Sequence, residues 1–148
     1  MSLKQYGVAM DDDEIAHCLE SMGVGTLAFG DERGGYAIPM SFGYDSVNDR
    51  CVFQFSFGED SRKAAYIEQD NRVSLSVHEW NSVTDWRSVV VHGTLEPVSA
   101  DRTAVTAGIY AAHAKIASLE VFRRPFEDLK FEWYELQIDE KQGRQSGQ

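Results

Sequence analysis

From Val24 onward the hydrophobic pattern of this chain alternates with a period of two, broken at short intervals by clusters of Gly, Asp and Asn. Successive side chains of a strand point to opposite faces, so this alternation makes half-buried strands. Connections this short leave room only for antiparallel pairing. The expected strands are Gly25–Phe29, Tyr36–Tyr44, Cys51–Phe57, Asn71–Glu79, Trp86–Val98 and Phe131–Ile138. Gly30–Gly35 and Asp45–Arg50 are the turns between the first three. Six antiparallel strands of this kind close most easily into a small barrel, which also removes exposed edges. The regular strand–helix alternation of a doubly wound sheet is missing, which argues against a dinucleotide fold.

Helices flank this pattern. Asp11 is a good N-cap with Glu14 three residues on, the capping-box arrangement, and Ile15, Cys18, Leu19 and Met22 then make one apolar face. Gly23 and Gly25 end that helix. A short helix is expected from Ser61 to about Glu68, and an Ala-rich one, capped by Asp101, to about Ser118. The polar segment Asp139–Gln148 reads as a frayed tail. No repeat, linker or low-complexity tract divides the chain, so residues 1–148 are expected to form one mainly β domain of the α+β class, a six-stranded antiparallel split β-barrel with an N-terminal helix and peripheral helices.

Composition removes several function classes. Fourteen basic residues against 24 acidic ones give a net charge of −10, the wrong sign for phosphate-backbone binding, so no nucleic acid is expected as a partner. No apolar run is long enough for a transmembrane helix, and the first residues lack a signal-peptide core, so a cytoplasmic protein with no membrane partner is expected. Cys18 and Cys51 can form neither a disulfide framework nor a zinc site alone, and no metal site is expected. Lysine is scarce, five against nine arginines; an acidic, Lys-poor surface suits a halophile's cytoplasm and an ordinary acidic protein equally well.

The familiar catalytic signatures are missing, and His17, His78, His92 and His113 are scattered. Three segments carry chemistry instead. The first is Ser56-Phe-Gly-Glu-Asp-Ser-Arg-Lys63, between a strand and a helix start. Free N–H groups at a helix start favour an anion, and Ser56, Ser61, Arg62 and Lys63 add hydroxyls and cations, a phosphate cradle. Cations in a first turn oppose the helix dipole, an arrangement an anion compensates. The second is Trp86–Gly93, where Ser88 sits at the entry to an apolar strand. The third is Tyr36-Ala-Ile-Pro-Met-Ser41. Pro39 cannot donate to a ladder, so this point is a bulge, an edge or a place where a ligand approaches.

In this order the three segments resemble the pyridoxamine 5′-phosphate oxidase-like flavoprotein superfamily, and within it the small nitroimidazole-reductase-like and general-stress-like branch. The wording runs G-T-L-A, then Y-A-I-P-M-S-F-G-Y, S-R-K-A, D-N-R-V-S-L and W-R-S-V-V-V-H-G, from the N-terminal helix to about Val98. The resemblance implies a split β-barrel homodimer with FMN at the subunit interface. It assigns Arg62 and Lys63, with Ser61, to the FMN phosphate, and Phe55 and Ser56 to the phosphate or ribityl chain. Tyr36, Ile38, Pro39, Met40 and Ser41 would line the isoalloxazine ring, Ser88 stands where the oxidases place a Gln, and Arg144 matches a C-terminal Gly-Arg of the smaller relatives.

Two departures set this chain apart from the phosphate-recognising oxidases: Ser41 replaces their substrate-binding Lys, and their Arg-x-His motif is absent, since Arg144 is followed by Gln145 and Ser146. The resemblance therefore implies an FMN-dependent oxidoreductase for another small molecule, with hydride exchanged at flavin N5 and no dedicated acid or base. Its alternatives are a split barrel holding a deazaflavin coenzyme or haem, and a non-enzymatic flavin-binding or stress protein.

Overall fold

A computed structural model describes residues 7–31, 34–57, 65–67, 70–115 and 130–147. Eight strands form one antiparallel sheet: β1 Val8–Ala9, β2 Val24–Asp31, β3 Gly34–Ser41, β4 Gly43–Asp45, β5 Arg50–Phe57, β6 Arg72–Ser82, β7 Asp85–Pro97 and β8 Lys130–Gln145. The spatial order is β3-β2-β6-β7-β8-β5-β4, with β1 beside the end of β8. The sheet curls until β3 comes near β5, without bonding to it, so the barrel is split rather than closed.

The first helix, α1 (Asp12–Met22), starts where the sequence says it should. Asp11 accepts from the Glu14 N–H at 2.8 Å, Glu14 accepts from the Asp11 N–H at 3.1 Å, and Gly23 ends the helix at φ 70°. Its apolar stripe puts Ile15, Cys18 and Leu19 into the core. There they meet the inward positions of the strands, including Leu27, Phe29, Phe53, Leu75, Val77, Val89 and Val91, all buried. A fully buried aliphatic side chain of this size contributes about 1.5–3 kcal/mol.

A 3₁₀ turn at Ala100–Arg102 precedes the second described helix, α2 (Thr103–His113). Asp101 lies inside that turn rather than capping it, and the cap position, Ser99, makes no side-chain cap bond. The helix stops at His113, short of Ser118, with residues 116–118 outside the described ones. It covers the outer face of β4 and β5. Cys51, Val52 and Phe53 are consequently all buried, with barrel interior on one side and helix on the other.

Two differences from the sequence reading follow from packing. The expected strand Tyr36–Tyr44 breaks at Phe42, a fully buried residue whose N–H donates to the Gly23 carbonyl at 3.0 Å. With the two-residue β1, this makes eight strands instead of six. The expected frayed tail is instead the second half of β8, which pairs with β7 as far as Arg87↔Gln145 and with β1 at Ala9↔Arg144. A register shift at Gly93 makes this possible. A Cβ there would lie 2.0 Å from the Gln137 carbonyl oxygen, so only glycine permits the close approach.

Candidate functional site

The residues singled out by sequence fall into two groups. The first lies along β3, an edge strand, which explains how Pro39 sits in a ladder opposite Thr26. Tyr36, Ile38 and Met40 share the inward face and are half-buried, whereas Pro39 lies on the opposite face and is exposed. The Ser41 hydroxyl, also half-buried, donates to the Lys115 carbonyl. Ser61, Arg62 and Lys63 lie outside the described residues, but the helical residues that follow them, 65–67, are held against β3. The Tyr66 ring stacks on Tyr36 with centroids 5.4 Å apart and planes 9° from parallel, and Phe29 stands 6.1 Å and 6.2 Å from the two. Phe29 and Tyr36 are cross-strand partners flanking the β2–β3 turn, and that hairpin register is the signal by which the cluster was available from the sequence.

Phe55 and Ser56 lie near the end of β5. The Phe55 ring is fully buried and stacks on Tyr134 at 5.0 Å, leaving the backbone as the part of this residue that can face a ligand. The second group sits on the other side of the sheet. Ser88 and Arg144 are directly opposite each other in the β7–β8 ladder, and the Arg144 Nη2 donates to the Gly7 carbonyl at 2.9 Å. Ser88 shares its face with Val90 and His92, pointing away from the buried Val89 and Val91. Between β3 and β7 lie β2 and β6, so about 14 Å of sheet separates the two groups at backbone level.

A buried charged cluster went unrecognised in the sequence. Arg50 is 1% exposed, and its Nε donates to Asp45 at 2.9 Å while Nη1 reaches Glu135 and, at 3.3 Å, the Thr106 hydroxyl. Asp45 also accepts from the Val47 and Asn48 N–H groups at 3.1 and 3.2 Å. Burial alone would raise the Asp45 carboxyl, but the bonds from Asn48 and Arg50 outweigh it and hold it below the usual carboxylate range. Nearby, Lys141 pairs with Asp49 at 2.8 Å, and Tyr44 donates to the same carboxylate at 2.6 Å. Burial, then that bond, pushes the Tyr44 phenol up, and burial does the same to the Cys51 thiol. These groups lock α2 and the Asp45–Arg50 turn onto the sheet.

The family model for pyridoxamine 5′-phosphate oxidase matches residues 11–145. The chain belongs to that family. The family match extends well past Val98, into the second half of β8. No curated protein matches the chain. Among solved structures, it resembles a FAD-binding protein from Mesorhizobium loti, with TM-score 0.71 and 18% identity over 95% of this chain and 98% of that one. It also resembles a proposed 5-nitroimidazole antibiotic resistance protein from Bacteroides thetaiotaomicron, with TM-score 0.67 and 16% identity over 92% and 85%. A FAD and heme binding protein from Mycobacterium smegmatis gives TM-score 0.68 and 17% identity over 93% and 72%. At these identities the likeness is one of fold. No described helix is long and apolar enough to cross a membrane.

Proposed function

We propose that this family member binds FMN between two copies of the chain and acts as a flavin-dependent oxidoreductase on a small molecule. The stack of Tyr66 on Tyr36 carries the reading, because it ties the segment that continues from Ser61-Arg62-Lys63 to the edge strand expected to meet the flavin ring. An edge strand suits a flat ring, since β3 has no second partner strand among the described residues and its open side can be approached. The separation of the two residue groups supports the second copy. One chain presents β3 and the Ser88–Arg144 row on opposite faces, so a partner's row would be needed to close the site over β3.

Bound FMN would supply hydride exchange at its N5. The chain's part is to bind and orient: Arg62 and Lys63 neutralise the phosphate, Ser61 and Ser56 donate to it, and Ile38 and Met40 limit water at the ring. The phosphate cradle favours FMN over haem, although one structural neighbour binds both FAD and heme. Replacing Arg62 and Lys63 together by Ala should abolish FMN binding, followed by flavin fluorescence, while the circular dichroism spectrum stays unchanged. Full affinity in the folded double variant would remove these residues from the site.

A further inference from the structure

The β6–β7 hairpin carries two tryptophans that the fold treats differently. Trp80 on β6 stands directly opposite Trp86 on β7, on the outer face, away from the buried Val73, Leu75 and Val77. The strand register shifts between Trp80 and Ser82, and a bulge at such a point re-aims the side chains beside it. Trp86 is half-buried and lies over Gly7, where a Cβ would come within 2.6 Å of the indole. Its backbone exchanges bonds with Ser146 at 2.9 and 3.2 Å. Trp80 is 66% exposed, and its ring meets no aromatic ring among the described residues. The tip that presents it is ordered by its own bonds: Asn81 donates to Asp85, and the Thr84 N–H to the Ser82 hydroxyl, both at 3.3 Å. One indole is thus used by its own chain, and the other is held out on a fixed hairpin.

The place of Trp80 on the sheet says what it faces. Ser88 stands opposite His78 on β6 and opposite Arg144 on β8, so one polar row crosses the outer face. Trp80 lies two residues along β6 from His78 on the same face, about 7 Å from that row, a diagonal that an aromatic side chain spans. Whatever the Ser88–Arg144 row of one copy covers in its partner therefore lies within reach of the same copy's indole. The row itself is polar, and Trp80 adds the uncovered apolar surface on which a flat ring stacks. We propose that Trp80 of each copy packs against the flavin held by β3 of the other, as a binding residue supplied in trans. This rests on the reading that one copy's row closes the site over its partner's β3. It accounts for the exposed indole, which is bare in a single chain and covered in the pair.

FMN titrations of the full chain, followed by flavin emission, test this. Trp80→Ala should weaken FMN binding about tenfold, the loss of one stacked aromatic. Because an indole in contact quenches a flavin, emission at saturation should rise, while the mass by light scattering and the thermal midpoint stay unchanged. Mixed dimers decide which copy supplies the indole. With Trp80→Ala on one chain and Arg62→Ala and Lys63→Ala on the other, the one working phosphate cradle faces an intact Trp80 and should bind as the parent does. With all three changes on one chain and a parent partner, the working cradle faces the altered residue and binding should fall about tenfold. The reverse pattern puts Trp80 in cis and overturns the proposal. Unchanged affinity and emission in Trp80→Ala overturn it as well. So does a Trp80→Ala chain that is monomeric, since Trp80 is then a contact between copies and not with the flavin. A parent that binds FMN and a Trp80→Ala variant that matches it reject this proposal alone; a parent that binds no FMN rejects the flavin reading and this with it.

Discussion

The two halves of the outer sheet face treat charge in opposite ways. Under α2, Arg50 and Glu135 are sealed from water, and every charge has a partner. Across the sheet, Arg72, Asp139 and Glu140 sit around an open cleft with no described partner at all. Desolvated charge is costly unless matched at close range, so the covered half can hold ions only as a finished network. In the open half Arg72, Asp139 and Glu140 are solvent-exposed and need no such match. Charge that builds structure and charge that only faces solvent are thus distinguished by what covers them, not by residue type.

The largest effect should come from breaking the covered half. Arg50→Met removes the cation but leaves Asp45 and Glu135 buried, and should cost about 3–5 kcal/mol, read from urea unfolding. A loss below about 1 kcal/mol would show that water reaches the cluster. Asp45→Asn should have a smaller effect with a pH signature. The carboxyl is held lower in the folded chain than its unfolded value of about 3.9, so its contribution is complete above that value and fades as pH falls through the folded one. The urea midpoints of parent and Asp45→Asn should therefore differ at pH 6 and converge towards pH 3. A gap independent of pH would mean that the carboxylate charge is not what stabilises the turn. The smallest effect belongs to the open half, where Arg72→Gln should change stability by no more than about 0.5 kcal/mol.

The same division explains how much of the molecule could be read from its sequence. Local signals worked: the Asp11–Glu14 box placed α1, and alternation placed the inward faces of β2, β5, β6 and β7. What failed was set by partners distant in sequence. Residues 139–145 are polar on both faces, and only the β7 ladder and the glycine at 93 make them a strand. The break at Phe42 was hidden because that residue continues the apolar alternation of Tyr36, Ile38, Met40 and Tyr44. Asp45–Arg50 read only as a turn, although the run Cys51-Val52-Phe53, apolar on both parities, hinted at a cover such as α2. For the site, Tyr36–Ser41, Ser88 and Arg144 were legible as separate segments, whereas the pairing of Ser88 with Arg144 was not. Nor was the separation of that pair from β3 by two strands, because it is a property of sheet order.

The function proposed for this chain rests on its binding a flavin. The most direct measurement is the visible absorption spectrum of the purified chain, with mass spectrometry of the small molecule released on denaturation. A flavin spectrum and released FMN are expected. A colourless chain that takes up neither FMN nor FAD when either is added would contradict it.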